Sequence, residues 1–285
     1  MPHSYVRLDD LTARAGLNIR GSTDRAAMLR IGEAVAEQID RITHRHFYSF
    51  HDVRLFDGNG KTRIPLRWDI ARVTTLKEDD ANSGSFSVTF SSSDFVTWPY
   101  EADSTQDVDH ARPITRLEIN TKGSGTQDVF QEGRRRYQLT GVFGYTERVR
   151  DTGSKTASSS FTASSTKFTV TASTRVSPGD TVLIGSEQLY VVARSSSADA
   201  VHVMRAANGT TAAAHSSSAT IQRYVYPAAI TQAALMQTSR LWARRENAYA
   251  DNAVGLQESG QAGPMVTGLD NDVKQMISPY IRPVV

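Results

Sequence analysis

The amino-acid sequence predicts an α+β protein: a helical body, with long helices near residues 22–46 and 227–249, that carries β-rich insertions. Three observations lead there. Apolar residues at Met28, Ile31, Val35, Ile39 and Ile42 follow one another at intervals of three and four, the spacing of a single helical stripe. Ile230, Ala234, Thr238 and Leu241 repeat the pattern, with Trp242 and Leu235 beside them. Between the two stripes the apolar residues alternate in short runs separated by Gly, Asn, Asp and Ser, as in strands.

In chain order, residues 8–17 read as a short helix capped by Asp9 or Asp10 and ended by Gly16. Ser22 or Thr23 caps the next helix, and Asp24 suits its positive end. Run to residue 46, that helix is about 36 Å long, and its one apolar face calls for the carboxy-terminal helix as partner. His44-Arg45-His46 closes it. A His-x-His metal pair is one reading, but residues two apart on a helix diverge, and cations suit a helix C-terminus.

Strands follow from Phe50. Asp57-Gly58-Asn59-Gly60 predicts a turn that returns residues 62–66 as the hairpin partner of 50–56. Residues 70–77, 86–90, 95–100, 114–119 and 135–145 complete a β-rich insertion over 50–150. Residues 153–225 read as a Ser/Thr-rich linker leading into a small β module, with strands at 167–172, 181–184, 188–193, 200–205 and 220–225 and a hairpin signal at Asn208-Gly209. Pro227 opens the closing helix, and Trp242 is the pin of the helical body formed by 1–49 and 226–285. Four glycines and a proline make 250–268 an extended arm. A last amphipathic helix carries Val273, Met276, Ile277, Tyr280 and Ile281. With little core of its own to join, it reads as a segment that docks on a neighbour.

Composition narrows the chemistry. The chain has 285 residues, 39% of them hydrophobic and 22% charged, with a net charge of +2 and no cysteine. Disulfides, cysteine nucleophiles and Cys-ligated zinc are excluded. No segment is strongly basic, no run is long enough to cross a membrane, and no signal peptide opens the chain, so a soluble cytoplasmic product is expected. No cofactor or metal is called for. Glu101, Asp103, Asp107, Asp109 and His110 form an acidic run without the spacing of a calcium loop. Arg134, Arg135 and Arg136 suggest a DNA-channel or ring-interface charge. Strand alternation, however, puts at most two of them on one side. Trp68 and Trp98 suggest a sugar or base platform, or plain core anchors. Glu187, His202 and His215 are isolated polar residues of the β module, so a glycan hydrolase using Glu187 or Glu101/Asp103 lacks a recognisable carboxylate pair.

Three stretches in this order resemble the head–tail connector, or adaptor, proteins of long-tailed bacteriophages: EAVAEQIDRITHRHFY (33–48), QLTGVFGY (138–145) and YPAAITQAALMQTSRLWARRENAYADNAVG (226–255). The most specific part is Leu241-Trp242-Ala243-Arg244-Arg245. The resemblance covers about 8–148 and 226–285. The module at 168–221 departs from the family pattern; its PGDTVLIGSEQLYVV and MRAANGTTAAAHS resemble a small β module inserted in phage structural proteins. The resemblance implies a non-enzymatic virion protein at the neck, assembled in the host cytoplasm. Copies of it, usually twelve, form a ring below the portal protein and extend the DNA channel. Its partners would be the portal, a stopper or tail-terminator protein, further copies of itself, and viral DNA passing without sequence-specific contact. Residues 250–285 would dock on the portal and fold on docking, while Met28, Ile31, Val35, Ile39, Leu241 and Trp242 pack the helical body. The alternatives are another neck protein (a stopper or tail-completion protein) and a glycan-binding β module on a helical base.

Overall fold

The computed structural model describes residues 2–13, 17, 19, 21–100, 111–123, 125, 127–157, 161–245 and 268–282. In chain order the elements are α1 (Leu8–Thr12), α2 (Gly21–Thr43), β1 (Phe50–Gly58), β2 (Arg63–Glu78), β3 (Val88–Phe90), β4 (Phe95–Trp98), β5 (Ile114–Ile119) and β6 (Gly133–Phe143). There follow β7 (Val149–Lys155), β8 (Lys167–Thr169), β9 (Thr181–Ile184), β10 (Glu187–Ser195), β11 (Ala200–Met204), β12 (Thr220–Tyr224), α3 (Ala228–Arg244) and α4 (Asn271–Ile277).

The expected helical body with β insertions is corrected. Among the described residues the protein is mostly β, with two antiparallel six-stranded sheets and only a few helices beside them. The long helices exist, but each run of strands between them builds a sheet with a hydrophobic core of its own. The chain divides into two compact units. One holds Met1–His44, Val149–Ala207 and Thr211–Val285; the other holds Arg45–Arg148 and Asn208–Thr210.

In the first unit the strand order is β7-β12-β9-β10-β11-β8. Val182, Ile184, Leu189, Val191, Val201, Val203 and Ile221 alternate inward and are at most 3% exposed. The sheet closes on itself. Thr156 bridges Val170, the Ala157 N–H donates to Thr169 O (2.9 Å) and the Thr171 N–H to Lys155 O (2.9 Å). The result is a small barrel closed at this one seam, which shortens the exposed edges of a module of this size. The Ser/Thr-rich linker expected from residue 153 is therefore corrected: its start is strand β7. The hydroxyls that make this stretch look like a linker bind backbone instead. Thr152 Oγ1 donates to Ile221 O (2.6 Å) and Thr156 Oγ1 to Ser216 O (2.7 Å). Phe161, beyond the strand, stacks on Phe168 in the core at 4.2 Å.

The same unit contains the helices. α2 and α3 pack antiparallel: Asp24 at the start of α2 pairs with Arg245 just after α3 (3.2 Å). A Cβ added at Gly32 would lie 3.9 Å from Thr238 Cγ2 and 3.2 Å from Val6 Cγ1. The buried face of α2 is Met28, Leu29, Gly32, Val35, Ala36, Ile39, Asp40 and Thr43. Ile31 and Ile42 are only half-buried, so the buried face is rotated from the predicted stripe toward Gly32, where the absence of a side chain lets Ser4 and Val6 of the N-terminal segment approach closely. The helix stops at Thr43, before the predicted residue 46, because His44 takes a left-handed conformation (φ 54°). α3 ends at Arg244, and residues 246–249 of its predicted span lie outside the described residues.

In the second unit the order is β1-β6-β2-β5-β4, with β3 on β2. β2 is sixteen residues long. Its first half pairs with β5, and its second half pairs with β6 and β3. β1 pairs with β6 along its length. The predicted hairpin is thus corrected: β1 and β2 are joined by the 57–60 turn but do not pair with each other. The turn's backbone is committed elsewhere, with the Gly60 N–H donating to Phe130 O and the Phe130 N–H to Lys61 O (2.8 Å each). Asn208-Gly209 is likewise no hairpin, since β11 and β12 are not neighbours.

Candidate docking surfaces

The predicted docking helix does find a core. Leu269, Val273 and Ile277 are fully buried within the chain's own first unit, where α4 packs against α3. Charge fixes the same contact: Arg240 reaches Asp270 (2.9 Å) and Asp272 (2.7 and 2.5 Å), and Arg244 reaches Asp270 (3.2 Å). The bond from Arg240 pulls the Asp272 carboxyl down to about 2. The Arg282 N–H then donates to Thr43 O at the end of α2 (2.9 Å). Of the five residues named for docking, Val273 and Ile277 face inward, Met276 and Tyr280 are half-buried, and Ile281 is exposed. This corrects the expectation that the tail lacks a core of its own; of the arm predicted at 250–268, residues 250–267 lie outside the described residues.

The helical-body residues are placed as follows. Met28, Val35 and Ile39 are at most 1% exposed, and Trp242 is at 2%. Leu241, like Ile31, is half-buried. The Arg245 guanidinium lies 3.5 Å over the Trp242 ring.

The arginine triplet is split. Arg136 turns inward, its Nε donating to Glu78 at 2.8 Å. Arg134 and Arg135 are exposed, and the Arg135 N–H, at a left-handed φ of 50°, donates to Asp57 (2.7 Å). Two guanidinium groups therefore remain for an outside partner. In the 44–46 stretch, His44 and His46 are exposed, and Arg45 is held by Asp69 at 2.6 Å.

Where β1 and the first half of β2 fail to pair, a groove of about 380 Å³ opens. Leu55, Phe56, Ile64, Leu66 and Trp68 line it, with Asp57 and Arg67 among its polar groups. Trp68 packs against Phe143 and under Arg54 (4.8 Å). Trp98 lies instead under Arg116 (4.5 Å) and edge-on to Tyr100. The two tryptophans thus make separate contacts.

Glu187 and His215, called isolated from the sequence, meet at 2.8 Å. Glu187 is fully buried and also accepts from Arg205 (2.7 Å to each oxygen), the Ala206 N–H (3.1 Å) and the Ala213 N–H (3.0 Å). Burial alone would raise its pKa. The donors, Arg205 foremost, outweigh burial and bring it down to about 2. Arg205 in turn donates to Thr162 O (2.6 Å) and Ser165 O (2.8 Å), so one carboxylate ties down two loops at the barrel's end. A carboxylate so fully satisfied is a lock rather than a general acid or base. His202, on β11, is half-buried. Among the described residues no group of three His, Asp or Glu is placed to hold a metal, and no helix is long and apolar enough to cross a membrane. The acidic run at 101–110 lies outside the described residues.

No family model, curated protein or solved structure matches the chain.

Proposed function

We propose that this chain is a structural component of a bacteriophage neck: a head–tail adaptor that forms a homo-oligomeric ring below the portal, extends the DNA channel and joins capsid to tail. The observation that carries the reading is the α2–α3 pair. The stretches resembling the adaptor family at 33–48 and 226–245 lie about 180 residues apart in the chain, yet their helices pack on each other. The specific Leu241–Arg245 stretch lies at the end of that pair, with Arg245 on Asp24. A nearly neutral chain suits a channel wall, since many exposed cations would hold passing phosphates.

A second reading, a stopper or tail-completion protein of the same neck, is favoured by the two six-stranded sheets, because stoppers are built mainly from small β-barrels. Electron microscopy of particles carrying this protein separates the two. A ring directly beneath the portal is the expected result. A ring on the tail side of another neck protein would make it a stopper, and a particle whose neck lacks the chain would overturn both.

A further inference from the structure

The mouth of the barrel in the first unit gathers arginines that outnumber their carboxylates. Arg223 on β12 and Arg150 on β7 are directly opposite one another in the antiparallel register. Like charges in that position repel. Arg223 comes two residues after the core residue Ile221 and is half-buried, so it continues the inward row just past the apolar filling. Arg7 lies against the same mouth. It spends its charge on the buried Asp180 (3.1 Å) and on Asp10 (3.7 Å). Its Nη2 also donates to Arg175 O (3.4 Å), and Arg175 itself donates to Gly153 O on β7 (3.0 Å). Both nearby carboxylates are thus taken by Arg7. Among the described residues, the guanidinium groups of Arg150 and Arg223 make no hydrogen bond or ion pair with the protein.

We propose that this mouth is a phosphate-binding site, with Arg150 and Arg223 as its ligating forks and Arg175 at its rim. The planar guanidinium presents paired N–H groups that match two oxygens of one phosphate, and a shared dianion would turn the Arg150–Arg223 repulsion into attraction. The electrostatics agree: burial first, then Arg7 and Arg150, lower the pKa of Arg223, and only Asp180 and Asp10 act the other way, at a distance. The phosphate is that of free inorganic phosphate or of a nucleic-acid backbone, and the site is independent of the proposed neck role.

The test uses the full chain. Thermal unfolding is followed while inorganic phosphate replaces chloride at constant ionic strength, and the saturable shift gives an apparent Kd. Arg150→Gln, at an exposed position, is expected to weaken phosphate binding about tenfold or more. In chloride alone it should unfold at or above the wild-type temperature, because it removes a like-charge neighbour; a merely structural arginine would lower it. Arg223→Gln is expected to abolish the shift, and Arg150→Gln carries the test if that half-buried variant does not fold. An equal unfolding temperature in phosphate and chloride for the wild type, or a wild-type Kd in Arg150→Gln, would overturn the proposal. Fluorescence anisotropy with a short DNA duplex distinguishes the sources. Duplex binding that phosphate competes away, and that Arg150→Gln loses, assigns the site to a nucleic-acid backbone. Phosphate binding without duplex binding assigns it to the free ion.

Discussion

Each of the two sheets buries one glutamate completely, and they treat it differently. In the closed barrel, Glu187 has donors on both oxygens from two side chains and two backbone amides. In the open sheet, Glu78 receives Arg136 (2.8 Å) and Tyr137 (3.2 Å) on one oxygen, and the other has no hydrogen-bond partner. Burial and the nearby Glu78 charge push the Tyr137 phenol well up, so it remains a donor across the ordinary pH range. The contrast follows from closure. A closed sheet brings its end loops around one point, so backbone amides of 206 and 213 can converge on a carboxylate. An open sheet leaves the job to neighbours along one strand pair.

The largest expected effect comes from removing the better-held carboxylate. Glu187→Ala strands Arg205 and His215 in a dry site and should cost about 3–5 kcal/mol. Hydrogen exchange should show the loss in β9, β10 and β11 while β1 and β6 keep their protection. Equal loss in both sheets would break the comparison. Acid should reproduce part of this effect without a mutation. The Glu187 pKa is depressed from an ordinary 4.5 to about 2. Its contribution is therefore complete above about pH 4.5 and drains away as pH falls toward 2, on the order of 3 kcal/mol. Chemical denaturation across that range should show a slope in the wild type that Glu187→Ala lacks. Glu78→Gln should cost less, about 1–3 kcal/mol, because only one oxygen is engaged. A cost above that of Glu187→Ala, read from the same exchange profile, would reverse the ranking of the two sites. Smallest is Asn59→Ala at the turn of the open sheet. There the side chain donates to Arg63 O (2.9 Å) and accepts from the Lys61 N–H (3.0 Å). An exposed pair of this kind is worth about 1 kcal/mol, seen as faster exchange at Lys61 alone.

Strand positions are legible in the sequence where short apolar runs are bounded by turn-forming residues, as in Ile114–Ile119 and Thr181–Ile184. Pairing is not. The Asp57–Gly60 signal marks a real turn, but which strand lies beside β1 is decided by Tyr137 and Leu139 of β6, some eighty residues on. β7 is missed because Ser154 and Thr156 look solvated in one dimension, and their partners, at 172 and 216 respectively, appear only in three. The α2 stripe is rotated because its buried face includes Gly32, which counts for nothing in a hydrophobic tally yet lets Ser4 and Val6 of the N-terminal segment lie close against the helix. Glu187 and His215 are 28 residues apart, and no local rule links them. The tail is misread for the same kind of reason: Val273 and Ile277 are a plausible docking face until α3, with Arg240, supplies the other side of the contact.

The ends of the two β regions have an evolutionary consequence. The chain enters the first of them at His46 and leaves it at Tyr145, whose N–H donates to His46 O (2.8 Å). It enters the barrel at Val149 and leaves at Tyr224, which stand opposite each other in the ladder. Each region therefore begins and ends at one spot, like a cassette spliced between α2 and α3. The barrel is nonetheless tied to the helices before it, through Tyr190 and Glu33 (2.7 Å), Arg194 and Asp9 (2.7 Å), and Arg7 and Asp180 (3.1 Å), so a short turn in its place would strand those partners. Any domain that replaced the barrel would have to bring its own match for Glu33, Asp9 and Arg7.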